Sequence, residues 1–340
     1  MAEERALRRG RPALLRVYLL LALGTLAAAA ASLLVGPGNL RDHALGEVFL
    51  RLRAARLGAA FLTGSALSVA GVLVQGLFKN PLASPSIIGT SAGAHLGGQL
   101  GLLAGHWLFG ATLSAWLAPD LLLPLGCVLG ALGSLLLLLA LVRAHHDLVV
   151  VLLTGFVLSS LFISVGAFVT SLARERWELS RALLSFALGD ISGSGPRQLA
   201  MAAPLVLFGS AFAWTWSRPL DLMLSGEEEA ASLGADVTLV RRWVIVWTAV
   251  LSAAAVAVGG NVGFVGLVVP HALRGLVGTA HQTLVPAAAL AGGGFVIVCD
   301  LACRLLPGQS ETPLGVVTGL IGAPTFLWLL FRQRREVQLA

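Results

Sequence analysis

Residues 89–93 read Gly-Thr-Ser-Ala-Gly, the G-x-S-x-G pattern that presents a nucleophilic serine in many hydrolases. That chemistry needs a strand, a sharp turn and a helix, with a base such as His271 in reach of Ser91. Here the pentapeptide opens an apolar helical run, where glycine and serine commonly serve packing. His145-His146-Asp147 has metal-binding residue types, but in a short polar loop it reads as a solvated turn. Cys127, Cys299 and Cys303 lack metal-ligand spacing and read as small core residues. A phosphate-cradling loop needs G-x-x-x-x-G-K-[ST], and the single lysine, Lys79, is followed by Asn80. ATP hydrolysis must therefore come from another chain. His43, His106 and His281 read as interfacial. His95, inside an apolar run, is the histidine best placed to touch a substrate, with a satisfied buried ring as the plainer alternative.

The charges that remain point to docking. Asp300 is the one carboxylate well inside an apolar run, and Arg304 follows it on the same helical face. A charge at bilayer depth costs about 2.5–3.5 kcal/mol on insertion scales, so the pair belongs near the end of its span, paired or partly hydrated. Arg304 is then either an interfacial anchor or a group left to meet something outside. Arg53 and Arg56 lie three apart at the mouth of the second apolar run, and guanidinium forks suit carboxylates of an acidic soluble partner. At 225–236 the chain reads Ser-Gly-Glu-Glu-Glu-Ala-Ala-Ser-Leu-Gly-Ala-Asp. Three acids suit the positive end of a helix, and Gly234 suits its stop. A helix of about two turns is too short to span a bilayer and is shaped to dock into a soluble partner.

These residues must be positioned by membrane helices. The chain is 57% hydrophobic and 12% charged, against roughly 25% charged in soluble domains, which predicts an all-α polytopic membrane protein. A nucleic-acid role fails: the +6 charge is dispersed, and no soluble domain is left to carry a basic face. The first run, Val17–Val35, follows five arginines and is long enough to be a retained span, not a cleaved leader. Charge-free stretches predict ten spans near 13–35, 57–78, 87–110, 120–142, 148–172, 198–217, 242–258, 262–279, 283–303 and 312–331. Gly259, Gly260, Gly263, Gly266 and Pro270 favour a break between the seventh and eighth. Ten spans put both termini on one side. With that side cytoplasmic, 14 basic residues face in and nine out, the expected sign of the bias. Gly89, Gly93, Gly97, Gly101 and Gly105 recur every four residues, a groove for close helix packing.

Four long segments carry a resemblance. They are Gly71-Val-Leu-Val-Gln-Gly-Leu-Phe-Lys-Asn-Pro-Leu-Ala-Ser-Pro85, Gly226-Glu-Glu-Glu-Ala-Ala-Ser-Leu-Gly234, Gly263-Phe-Val-Gly-Leu-Val-Val-Pro-His271 and Glu311-Thr-Pro-Leu-Gly-Val-Val-Thr-Gly-Leu-Ile-Gly-Ala-Pro324. In this order the chain resembles the FecCD-type permease subunits of ATP-binding-cassette importers for iron–siderophore complexes, haem and cobalamin. The resemblance implies a homodimer in the bacterial inner membrane, with the pathway between the copies. It also implies a periplasmic binding protein and two cytoplasmic ATPase subunits, which hold the ATP and Mg while this chain carries no cofactor. Gly226, Glu227, Glu228, Glu229, Ala230, Leu233 and Gly234 match the family's ATPase-coupling segment, within 219–240. Arg53, Arg56 and Arg304 match outward arginines that meet the binding protein. Asn80, Pro81, Ser84 and Pro85, with the 143–148 turn, match loops at the cytoplasmic gate. In one departure, Ala54 and Ala55 stand where the family often has Leu-Pro, leaving the start of that helix less rigidly defined. The expected mechanism is alternating access driven by ATPase subunits gripping the coupling segments. An ion-coupled secondary transporter using Asp300, and an intramembrane serine hydrolase using Ser91, are the alternatives.

Overall fold

Inside a bilayer every N–H and C=O must be satisfied within the protein, so long apolar segments have little choice but helix. The computed structural model describes residues 2–36, 38, 45–117, 121–142, 148–173, 175–306 and 312–339, and among them there is helix and no strand. In chain order the helices are α1 (Ala2–Leu34), α2 (Gly46–Leu77), α3 (Thr90–Leu117), α4 (Leu123–Val142), α5 (Leu148–Leu172), α6 (Trp177–Leu188), α7 (Pro196–Thr215), α8 (Ser217–Ser225), α9 (Glu227–Ser232), α10 (Val237–Gly259), α11 (Val265–Val277), α12 (His281–Leu305) and α13 (Leu314–Leu339). A 3-10 turn, Pro85–Ile88, leads into α3.

The predicted spans fall on α1–α5, α7 and α10–α13. Seven helices among the described residues are individually long and apolar enough to cross a membrane: α1, α2, α4, α5, α7, α10 and α12. The expected span 262–279 is helical for only 13 residues, about 20 Å, less than a hydrocarbon core of about 30 Å. α10 and α11 are separate helices, joined by non-helical residues 260–264. That linker is held against α6: Asn261 N donates to Phe186 O at 3.3 Å. The amphipathic α6 was not expected; its twelve residues bury Leu179, Leu183 and Phe186 on one face.

α2 is the axis of the bundle. From Ala59 to Leu77 it is buried almost all round, as a helix apolar on every side must be. α12 and α10 flank it. A Cβ on Gly64 would overlap the Gly292 carbonyl, and one on Gly292 the Gly64 carbonyl, so α2 and α12 meet backbone to backbone. By contrast α5 leaves Leu153, Phe156, Leu161 and Phe168 exposed, an apolar face suited to lipid or another helix.

Candidate functional site

α12 fixes the scale of the polar sites. His281 begins it and Arg304 lies in its last turn, roughly 35 Å apart along the axis. The arginines expected at one end are there, but two are not free. Arg53 is buried, and its Nη1 donates to Leu33 O and Leu34 O, both at 2.9 Å. Its Nη2 donates to Gly36 O at 2.8 Å and Gly38 O at 2.9 Å. The Arg304 side chain is 2% exposed, and it donates to Ser32 O, Val35 O and Ser32 Oγ at 3.0, 2.7 and 2.5 Å. These carbonyls end α1 and the turn after it, where no helical N–H remains to satisfy them. Two guanidiniums at the negative end of a helix dipole meet both needs. The expectation that Arg53 and Arg304 are presented outward is thus corrected: both are turned inward as caps.

Asp300 completes the knot. It is fully buried; its Oδ1 accepts from Arg56 Nε at 2.8 Å and its Oδ2 from Arg304 Nη2. Pairing with Arg304 was legible from the i, i+4 spacing, but pairing with Arg56 was not, because nothing local links two positions so far apart. Nor does Arg56 sit at a helix start: α2 begins at Gly46, so Ala54 and Ala55 lie well inside it. Beside the knot opens a cleft of about 580 Å³ lined by Arg53, Arg56, Arg304, Asp190 and Arg181. The Arg56 side chain is 12% exposed. Arg181, on α6, is exposed and has no ion-pair partner among the described residues. The sequence places Arg181 among the nine outward-facing bases but gives it no role, because α6 is too short to stand out as a span.

At the other end lies the acidic helix. α8 stops at Gly226, whose φ of 144° suits glycine, and α9 follows at once. Gly234 N donates to Ala231 O and Ala235 N to Ala230 O, with Gly234 at φ +88°, so the expected glycine stop is a Schellman turn. Glu228, Glu229 and Leu233 are exposed, Leu233 at 61%. Ala230 is fully buried and anchors the helix in the core instead of facing outward. Glu227 is bound by Arg241 Nη2 at 2.5 Å. Asp236 caps α10 by accepting from Leu239 N at 2.9 Å. His281, read as interfacial, is buried: its Nδ1 lies 2.5 Å from Asp221 Oδ1.

The loop after α2 lies at this same end. Asn80 and Pro81 are exposed, Asn80 Oδ1 accepts from Leu82 N at 2.9 Å, and Ser84 Oγ meets Ser86 Oγ at 2.8 Å. Pro85 is buried beside Gly266. Of the companion turn, 143–147 lie outside the described residues, as do Arg41, His43, Arg174 and Glu311.

The glycine groove is a seam between α3 and α4. Cβ atoms on Gly93, Gly97 and Gly101 would strike Gly130 and Ser134, Gly126, and Leu122 respectively, and Gly105 is buried further along. Gly89 ends the 3-10 turn at φ +87°, just ahead of α3, and its carbonyl accepts from Ser134 Oγ of α4 at 3.0 Å. His95 stacks on Phe186 with ring centroids 4.8 Å apart, so its face is occupied by α6. Ser91 and His271 share no hydrogen bond, and the His271 ring edges onto Phe326 at 6.3 Å.

Apolar helices around a buried axis, with the ion pairs of the described residues gathered at the two ends, define a multi-pass helical membrane protein. Residues 12–332 match the FecCD transport family, and the chain belongs to that family. It is 36% identical over 287 residues to the Fe(3+) dicitrate transport system permease protein FecD of Escherichia coli (strain K12), covering 84% of this chain and 86% of that one. It is 35% identical over 291 residues to the cobalamin import system permease protein BtuC of Halobacterium salinarum, covering 85% and 73%. A solved metal-chelate type ABC transporter in an inward-facing conformation matches with a TM-score of 0.81 at 30% identity, covering 94% of this chain and 99% of the other.

Proposed function

We propose that this chain is the membrane permease of an ATP-binding-cassette importer for a ferric chelate, haem or cobalamin. It works as a homodimer in a bacterial inner membrane, with ten spans and both termini cytoplasmic. Two ATPase subunits bind the ATP and Mg and grip α9. A periplasmic binding protein delivers the ligand to the arginine end. The observation that carries this reading is an acidic, exposed helix whose base, Ala230, is locked in the core, in a chain of the FecCD family. A lever must be exposed where it is gripped and anchored where it transmits.

The chain's own part is mechanical. Glu228, Glu229 and Leu233 offer the ATPase a mixed acidic and apolar surface. Arg181 and the open edge of Arg56 give an acidic binding protein its electrostatic address. The loop Asn80–Pro85 closes the cytoplasmic mouth. ATP binding favours one packing of the two copies over another, because the ATPase dimer binds the two arrangements with different affinity. Asp300 is held between two guanidiniums, which argues against its use as the carboxylate of an ion-coupled carrier. The test is uptake by proteoliposomes holding this chain, its ATPase and its binding protein. Uptake of ferric chelate, haem or cobalamin that stops when ATP or the ATPase subunit is withheld supports the reading. Uptake driven by an ion gradient alone overturns it.

A further inference from the structure

α8 is the arm that carries the acidic helix. It is seated by Leu220 and Met223, both essentially unexposed, and it ends one residue before α9 begins. Between those two anchors lies Asp221. Its Oδ1 accepts from His281 N at 3.0 Å and faces His281 Nδ1 at 2.5 Å. α12 has no side-chain cap of its own, since its N-cap residue is Ala280. The carboxylate of α8 therefore caps α12, at the positive end of the helix dipole. A carboxylate only accepts, so the proton on this side of the ring is on Nδ1.

The ring's far side meets α2. His281 is 2% exposed, and a Cβ on Gly76 would collide with its Nε2, lying 3.0 Å from Cε1 and 3.3 Å from Cδ2. Only a glycine lets the imidazole lie flush against this turn. The same turn carries the loop that follows: Lys79 N donates to Gly76 O at 3.2 Å and Asn80 N to Gln75 O at 3.1 Å. Lys79 adopts φ +48°, a left-handed conformation that a side chain rarely takes, so the path of the loop is bound to this one turn.

We propose that Asp221 and His281 are the joint that passes movement of α9 to the loop Asn80–Pro85, by way of Gly76. Asp221 and His281 are positioning residues; neither touches ligand or nucleotide. The acidic helix itself is tied by Glu227 with Arg241, whose side chains are 45% and 25% exposed, and solvent weakens that pair. The side-chain hydrogen bonds of the α2 turn, Arg274 Nη1 to Gln75 Oε1 at 2.5 Å and Gln75 Nε2 to Gly266 O at 3.3 Å and Leu267 O at 3.5 Å, all run to α11 and do not reach α8. Among the described residues α8 also packs directly on α2 and α12, and the Asp221–His281–Gly76 contact adds the polar link that joins arm, span and loop in one line.

The proposal rests on the reading that α9 is the ATPase contact, and the experiment separates the two. The full assembly is reconstituted in proteoliposomes, and uptake and ATP hydrolysis are measured in the same vesicles. Asp221→Ala keeps the ATPase bound and hydrolysing, while ligand moved per ATP falls about tenfold, within the range of site-to-site coupling. Asp221→Asn, which still accepts a hydrogen bond, falls less. Gly76→Ala pushes the ring away from the loop side and lowers the same ratio with the Asp221 carboxylate intact. An unchanged ratio in both Asp221→Ala and Gly76→Ala overturns the joint. Loss of the ATPase from purified Asp221→Ala complexes also overturns it, since Asp221 would then only hold α9 in place. If Glu228→Lys with Glu229→Lys leaves ATPase binding untouched, the reading of α9 fails, whatever the ratio in the other variants.

Discussion

Arg56 Nε lies 2.8 Å from Asp300 Oδ1, although 244 positions separate the two residues in the chain. The carboxylate is fully buried and also holds Arg304. One acid is thus shared by two bases, and the excess positive charge is spread over the carbonyls that end α1. Asp300→Ala takes the carboxylate from the buried Arg304 guanidinium and one acceptor from Arg56, a loss of about 3–5 kcal/mol for a broken buried pair. The expected result is a sharp fall in folded yield and in the unfolding midpoint in detergent. Asp300→Asn, which keeps an acceptor, is expected to lose less.

The inward arginines change what a docking experiment should show. Arg304→Glu removes a cap from α1 and sets two acids side by side, so it should destabilise the fold before it touches any partner. Arg181→Glu should do the reverse. Arg181 is exposed on α6, so folding is unaffected, while association of the binding protein slows and loses part of its dependence on salt. Surface plasmon resonance at two ionic strengths measures this. An association rate unchanged at low salt removes Arg181 from the interface.

What could be read from sequence follows from the range of the interactions. Apolar runs, the acidic first turn of α9, the Gly234 stop and the Asp300–Arg304 spacing are local patterns set by helix period and bilayer chemistry. The Arg53 and Arg304 caps were not legible, because they depend on where α1 ends relative to α2 and α12. The carbonyls they satisfy carry no side-chain signature. The string 36–38, Gly-Pro-Gly, was the available hint that a helix stops there without a side-chain cap. His281 was misread as interfacial for the same reason: its partner Asp221 and its neighbour Gly76 lie on other helices. α6 escaped because twelve residues with a single apolar face look like a loop when only spans are sought.

The α3–α4 seam gives a test with an internal control. A Cβ on Gly97 would strike the Gly126 carbonyl, whereas one on Gly133 meets nothing within 4 Å. Gly97→Leu should force the helices apart and abolish folded protein in the membrane fraction. Gly133→Ala should be neutral or stabilising by up to about 1 kcal/mol, since alanine is the better helix former. Size-exclusion profiles and unfolding curves of the two variants compare them directly. Equal behaviour would show that the seam tolerates side chains and that the glycines are incidental.

The acidic helix should respond unevenly to charge reversal. Glu228 and Glu229 face solvent, so Glu228→Lys with Glu229→Lys leaves the chain folded and removes two negative charges from the docking face. Lysines there also oppose the positive end of the helix dipole, at about 0.3–1 kcal/mol each, too little to unfold a helix anchored by Ala230. Co-purification of the ATPase and uptake should fall together. Glu227→Lys differs, because its partner is Arg241 of this same chain, and two cations would then face each other across α9 and α10. It should loosen the start of α9 and raise proteolytic cleavage near Gly226 even without the ATPase. Limited proteolysis of the purified permease distinguishes the two. Equal cleavage in both variants would mean that Glu227 serves the partner surface as its neighbours do, and that the Arg241 contact contributes nothing to holding the helix.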